Sequence, residues 1–353
     1  MSDRARRPGN DTDGGRFAPH ELYAAAQLYY GQNLSQEQVA QQLGTSRPRV
    51  SRLLAEARRR GIVRIEVVPP VPADELASQL TEALGLRDVE LSPTVVPGTP
   101  PGRILATALS AVLSRLGLRS GDVLLISSGR TVWQAAQTNL PALPGVVLAP
   151  TIGGLDEVEP WFQTNEITRR IAETVGGHPR LLYAPAMPSP ELHATLLRDR
   201  RTNEVLRLWD EATAAVMGVG APLRLRDSIP TFLPSDPTLR PDSAGDISSR
   251  FFDERGDPVP YPGEERLLSV SREQLQAMPA SIALAAGEAK VGALIAAARA
   301  KLYSILVTDQ ATASQMLTRL KADATGETDG AAETDGTSET DVAERTGRHD
   351  SSV

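Results

Sequence analysis

Arg47, Arg49, Arg52 and Arg58 follow one another at short spacing behind Ser46, with Ser51 among them and Arg59 and Arg60 next in line. Arginine reads guanine through two parallel hydrogen bonds or grips a phosphate by charge. If Ser46 caps a helix, the exposed early positions are Ser46, Arg47, Arg49, Ser51 and Arg52. We expect Arg47 and Arg49 to reach base edges, and Arg52 and Arg58 to face phosphates of double-stranded DNA. Taken alone, these arginines are equally a solvated basic face on an ordinary three-helix unit.

A second set of residues closes a series of apolar runs: Ser128-Gly129-Arg130-Thr131, Thr151-Ile152-Gly153-Gly154, Gly218-Val219-Gly220, Ala286-Gly287 and Thr308-Asp309. At the carboxyl ends of parallel strands they would converge on one crevice. Glycines there can offer backbone N–H groups, and helix starts attract anions. Lys290 follows Gly287 by three residues and opens a helix, where it opposes the helix dipole. A bound phosphate would compensate. Asp309 is as readily the cap of the last helix, and Asp246 and Asp253 as readily cap a loop. Trp133, Trp161 and Phe162 read as core or interface residues.

Other chemistries lack their residues. Cysteine is absent, and the four histidines (His20, His178, His193 and His349) have no ligand spacing, so no metal site is expected. Neither GxxxxGK[ST] nor a GxGxxG after the first strand of the sheet occurs. No catalytic constellation is visible, and neither an enzyme nor a cofactor is expected.

The elements that must position these residues follow from capping and periodicity. Residues 19–30 form a first helix, with Leu22, Ala25, Ala26 and Tyr29 on one face, ended by Gly31. Ser35 and Gln38 make a capping box for a second helix. Gly44 turns the chain, and Ser46 with Pro48 starts a third helix that reaches Arg60. Ala40, Gly44 and Val50 have the spacing of a helix-turn-helix. Alternation over 62–67 predicts a short strand, a wing. A proline-stiffened linker precedes a helix over 73–84, whose Leu76, Leu80 and Leu84 stripe packs on the larger domain or a second subunit.

From residue 88, strands alternate with helices. Strands are expected at 89–91, 122–127, 146–149, 180–183, 214–218, 282–284 and 304–308; helices at 103–116, 166–175, 192–209, 290–300 and 311–320. This is a mostly parallel α/β sheet covered on both faces. The full organisation is a disordered arm (1–18), a helix-turn-helix domain (19–68), a linker and helix (69–87), an α/β effector domain (88–321) and a disordered acidic tail (322–353).

Charge supports that division. The net charge is −7, and residues 322–353 alone carry nine acidic side chains against two arginines. Residues 17–66 carry seven arginines against four glutamates. Local charge is what a DNA phosphate meets. No apolar run approaches a membrane span, and the N-terminus lacks the apolar core of a signal peptide, so a cytoplasmic protein without membrane partners is expected.

An ordered set of segments resembles the SorC/DeoR-type sugar-responsive regulators, a family that includes the central glycolytic gene regulator. They are LYY, SQEQVAQQLGTSRPRVSRLL, EARRRGIVRIEV, SSGRT, PTIGG, NEITRRIAETVGG, LLYAPA, MGVG, GDISSRFFDERG and AAGEAKVGALIAAARAKLYSILVTDQATA, spread over residues 22–320. The resemblance implies a winged helix-turn-helix joined to a Rossmann-like domain resembling sugar-phosphate isomerases, and a homo-oligomer (dimer or tetramer). By position it places Gly129, Arg130 and Thr131 on a first ligand loop and Thr151, Gly153 and Gly154 on a second. It makes Asp246 ligand-facing, and puts Gly287 and Lys290 in a phosphate-binding segment and Asp309 in the TDE-like end. This chain has AAGEAK where the family has AGGxxK, Gln310 after Asp309, and two serines before Gly129.

The expected function is a transcriptional regulator whose operator affinity is controlled by a phosphorylated sugar. The alternatives are an isomerase-like enzyme with a DNA-binding attachment, and a ligand-independent DNA-binding protein. Turnover of a sugar phosphate would mark the first, and effector-insensitive DNA binding the second.

Overall fold

The computed structural model describes residues 17–32, 34–63, 72–96, 98–226, 229–233 and 242–325. The chain divides into two compact units, Met1–Pro70 and Val71–Val353. The expected arm, most of the wing and linker, and the tail beyond Thr325 lie outside the described residues.

In the first unit, α1 (Pro19–Ala26), α2 (Gln36–Gln42) and α3 (Arg47–Arg59) enclose Leu22, Ala25, Val39, Ala40, Val50, Leu53, Leu54 and Ala57. The capping box forms as its spacing predicts: Ser35 Oγ accepts from the Gln38 N–H, and Gln38 Oε1 accepts from the Ser35 N–H at 2.8 Å. After Ala26 the first helix widens into a π turn, Gln27–Gly31. Thr45 N–H returns to the Ala40 carbonyl at 2.9 Å and sets the turn into α3. Of the strand expected over 62–67, only Ile62 and Val63 are described. Ile62 and Val63 both donate to the Ala57 carbonyl, at 2.9 and 3.2 Å, and so finish α3 instead of starting a strand.

The second unit is built on a seven-stranded parallel sheet in the order β1-β9-β8-β5-β2-β3-β4. The strands are β1 (Asp88–Ser92), β2 (Val123–Ile126), β3 (Val147–Pro150), β4 (His178–Pro179), β5 (Ala214–Met217), β8 (Ala280–Leu284) and β9 (Ile305–Asp309). β2, β5 and β8 are buried at every residue, as near-continuous apolar strands covered on both faces must be. One core joins the sheet to α5 (Pro101–Leu116), α6 (Arg130–Ala135) and α7 (Thr164–Val175). The other joins it to α4 (Ala73–Leu84), α9 (Arg200–Asp210), α11 (Val291–Arg299) and α12 (Gln310–Thr325). Leu76 and Leu80 are buried in this second core, so the α4 stripe packs within the unit.

Two expectations change for local reasons. The strand expected at 180–183 is replaced by a two-residue strand ahead of it, His178–Pro179, and the Asn165 side chain takes both backbone groups of Leu182, at 3.1 and 3.0 Å, away from the sheet. The helix over 192–209 splits into α8 (Pro190–Leu196) and α9, because Asp199 caps the second piece through the Thr202 N–H at 2.7 Å. The segment before α10 (Arg272–Ala277) carries an antiparallel hairpin, β6 (Gly245–Ile247) and β7 (Arg250–Phe252).

Strands leave the centre in one direction through β2, β3 and β4 and in the other through β5, β8 and β9. The order of strand addition therefore switches sides between the parallel neighbours β2 and β5, and such a switch point opens a crevice at the carboxyl ends of the strands.

Candidate nucleic-acid interface and effector crevice

Ser46 occupies the N-cap position of α3, but its hydroxyl makes no capping bond. The reason is local: Pro48 has no N–H, and the Arg49 N–H goes to the Ser46 carbonyl at 2.9 Å. Ser46, Arg47, Ser51, Arg52 and Arg58 are exposed. With a rise of about 1.5 Å per residue, Arg58 stands roughly 16 Å along the axis from Arg47 and meets a different part of any bound duplex.

Arg49 differs from the others. Its Nη2 donates to Glu21 Oε1 at 2.9 Å, and its guanidinium lies 5.6 Å from the centre of the Phe17 ring. The Ala18 N–H and then Arg49 hold the Glu21 carboxyl below its usual range. Further along α3, Arg59 and Arg60 bind Glu56 and lower its carboxyl to about 2. Arg52 Nε donates to the Pro48 carbonyl at 3.3 Å.

In the second unit, the expected glycine amides are already engaged. The N–H groups of Gly129, Gly153, Gly154 and Gly287 donate to Trp161 O, Leu268 O, Ala184 O and Thr312 Oγ1, at 2.8, 2.9, 2.8 and 2.7 Å. Thr151 is buried, and its hydroxyl shares a 2.8 Å hydrogen bond with Ser248 at the tip of the β6–β7 hairpin. Thr151, Gly153 and Gly154 thus seat neighbouring segments. Asp309 is the cap that its position allowed. Its Oδ1 accepts from Thr312 N–H at 3.0 Å and its Oδ2 from Val95 N–H at 2.7 Å. Asp253 likewise closes its own turn, accepting from the Arg255 and Asp257 N–H groups.

What the crevice offers an anion is therefore side-chain charge. Lys290 closes a short 3₁₀ turn ahead of α11, and its Nζ donates to the Val219 carbonyl at 2.5 Å. Desolvation, with the Arg226 and Arg130 cations nearby, lowers its ammonium to about 8, although Asp246 opposes the shift. Asp246 binds Arg226 through Oδ1 and the Ser249 N–H through Oδ2. This ion pair is largely buried, with side-chain exposures of 19% and 13%. Gly220 makes room for it, since an added Cβ would collide with Asp246 Oδ1 and Arg226 Nη2. Arg130, at the start of α6, lies 4.6 Å from the Trp161 ring centre, and Trp161 meets Trp133 edge to face at 6.0 Å. Thr131 follows in the first turn of α6 and is partly exposed. A cavity of about 700 Å³ is lined among others by Pro222, Leu225, Glu288, Val291 and Arg319, and Arg130, Arg226, Asp246 and Lys290 are not among its lining residues.

Sequence reasoning assembled Arg130, Asp246 and Lys290 but missed Arg226. Arg226 lies in a segment without periodicity, twenty residues from its partner, so no spacing rule could pair them. Trp161, read as core or interface, stacks on Arg130. Among the described residues, no group of acidic or histidine side chains could hold a metal ion, and no helix is long and apolar enough to cross a membrane.

Residues 69–318 match the family described as "Putative sugar-binding domain", and residues 27–60 match "Sigma-70, region 4". The chain is 30% identical to the deoxyribonucleoside regulator of Bacillus subtilis (strain 168), over 84% of this chain and 96% of that one. The chain belongs to the SorC/DeoR family of sugar-binding transcriptional regulators. It is also 30% identical to the sorbitol operon regulator of Klebsiella pneumoniae, over 83% and 96% of the two chains. The full-length crystal structure of that regulator, SorC, superposes with a TM-score of 0.62 at 28% identity, covering 84% of this chain and 98% of SorC. As a SorC/DeoR protein, the chain is a DNA-binding transcriptional regulator with a sugar-binding domain.

Proposed function

We propose that a phosphorylated sugar, bound in the crevice between β2 and β5, controls the affinity of the helix-turn-helix for operator DNA. The observation that carries this reading is the gathering of Arg226, Asp246 and Arg130 around the Lys290 ammonium, with Arg226 paired to Asp246. Arg226 is paired with Asp246, and the Lys290 ammonium donates to a neutral carbonyl, so the Lys290 charge suits a phosphate. Asp246 has the acceptor geometry for sugar hydroxyls once Arg226 turns to the phosphate. The Thr131 hydroxyl adds a donor at the rim. Gly129, Gly287, Thr151, Gly153, Gly154 and Asp309 support the loops that carry these groups.

On the DNA side, Ser46, Arg47, Arg49, Ser51 and Arg52 meet the duplex at the entrance of α3, and Arg58 grips a phosphate further along. One such helix offers little contact area, so the working form is a symmetric homo-oligomer, a dimer or tetramer, on paired half-sites. It acts in the cytoplasm, where operator DNA and phosphorylated sugars meet. Effector and operator are linked: a ligand that binds one arrangement of subunits more tightly shifts the operator equilibrium by the same factor.

The test is a thermal-shift screen of sugar phosphates beside the matching free sugars. A rise in unfolding temperature with one phosphate ester and not with its free sugar, lost in Lys290→Ala, is the expected result. Equal shifts with the free sugar, or a shift that survives Lys290→Ala, would overturn the phosphate assignment. Operator retention by Lys290→Ala, measured in parallel, separates a binding defect from a folding defect.

A further inference from the structure

We infer that Glu21 is a positioning residue for DNA recognition: it holds the Arg49 guanidinium in one orientation at the entrance of α3, so that Arg49 serves as an oriented base donor. This rests on the reading of the helix-turn-helix as the DNA-contacting element.

Glu21 and Arg49 stand 28 residues apart and meet at 2.9 Å because α1 packs against α3 through Leu22, Ala25, Val50 and Leu53. Both ends of the contact are anchored. The Glu21 Oε2 accepts from the Ala18 N–H at 3.1 Å, so the carboxylate cannot rotate without uncapping α1. Phe17 lies 5.6 Å from the guanidinium carbon and limits its movement from another side. Val50, the next residue, is fully buried and fixes the backbone from which Arg49 projects.

None of the other candidate DNA-facing arginines has a carboxylate partner among the described residues. Among the described residues Arg52 donates to the Pro48 carbonyl, and Arg47 and Arg58 are exposed. The pair is solvent-accessible, with side-chain exposures of 43% and 35%, and such pairs contribute little to stability. Its consequence is for orientation and charge. A guanidinium has five N–H donors, and Glu21 takes one. The others can still serve the two acceptors on a guanine edge. A phosphate approaching Arg49 would meet the repulsion of Glu21, whereas a neutral base edge would not. A guanidinium already held in place also loses less rotamer freedom on binding. Arg49 is thus suited to reading, and Arg52 and Arg58 to gripping.

The experiment selects duplexes from a randomised library with the full-length wild type. It then titrates the wild type, Glu21→Gln, Arg49→Gln and the double variant on a selected and a shuffled duplex over a salt series. Glu21→Gln is expected to keep binding but to lose about tenfold in discrimination between the two duplexes, the scale of one bidentate base contact. Its salt dependence should steepen by about one phosphate contact as Arg49 becomes a counter-ion. The double variant should discriminate no worse than Arg49→Gln alone. Equal weakening on both duplexes, with discrimination and salt slope unchanged, would make the pair purely structural and overturn the inference. Should Glu21→Gln not fold, Arg49→Lys keeps the charge and leaves the α1 cap intact. It should lose the same discrimination, and unchanged discrimination would again overturn the inference. If the wild type enriches no sequence, the DNA-contacting reading of the helix-turn-helix fails and this inference with it. Enrichment by the wild type, with discrimination unchanged in the variants, overturns this inference alone.

Discussion

Lys290 has its ammonium within hydrogen-bonding distance of a carbonyl and close to two guanidinium groups, and this combination has a pH signature. In the free protein its charge is lost as pH rises through about 8. A phosphate dianion needs the charged form and raises the pKa in the complex, so above about 8 binding takes up a proton. Affinity for a phosphate dianion should therefore be flat between about pH 6, where the ester itself protonates, and about 8, and fall by up to about tenfold per pH unit above that. Calorimetric titration in buffers of different ionisation enthalpy checks both the fall and the proton uptake. Replacing Arg226 tests the other half of the cluster. Arg226→Gln should weaken a phosphorylated effector by roughly ten- to a hundredfold, since a charged hydrogen bond is worth about 1.5–3 kcal/mol. It should leave a free sugar unaffected, because it also releases Asp246. At this scale Lys290 and Arg130 were legible, since each stands at a fixed offset after an apolar strand. Arg226 was not, because its role exists only once the 220–226 loop and the β6–β7 hairpin are folded together.

At the scale of elements, α5 and α6 approach so closely at Gly102 that an added Cβ would lie 2.6 Å from the Gln134 Cβ and 2.9 Å from the Ala135 N. Gly102→Ala should cost about 1–3 kcal/mol by overpacking. It should also displace Arg130 at the start of α6, so chemical denaturation and effector titration should both register the change. Asp309 gives the opposite pattern. Both of its carboxylate oxygens serve backbone N–H groups. Asp309→Ala should thus lower stability by roughly 1–3 kcal/mol while a sufficiently folded sample still responds to effector. Selective loss of the effector response at unchanged stability would return Asp309 to the ligand site. The capping box at Ser35 and Gln38 was readable because every atom it uses lies within four residues. The strand at 180–183 was misread because Asn165, on α7, supplies the backbone partners of Leu182 from outside the segment.

At the scale of the whole molecule, each unit has its own core, Leu22 to Ala57 in one and the sheet with its two helical layers in the other. A fragment of residues 71–325 is therefore expected to unfold cooperatively and to retain the effector-induced thermal shift. Loss of that shift in a well-folded fragment would show that effector binding needs the first unit or the tail. The sequence by itself determined the architecture. Residue alternation, capping signals and apolar runs are local patterns, and burial of a continuous apolar strand admits few alternatives, so the helix-turn-helix and the parallel sheet could be placed in advance. The ordered motifs likewise pointed to the family. Only the tertiary structure decided which polar groups remain for ligands. It occupied the glycine amides with carbonyls and a hydroxyl from distant segments, turned Asp309 into a cap, brought Arg226 to Asp246 and tied Arg49 to Glu21. The physical reason is that a buried polar group must find a partner, and that partner is fixed by three-dimensional proximity, which sequence spacing does not encode.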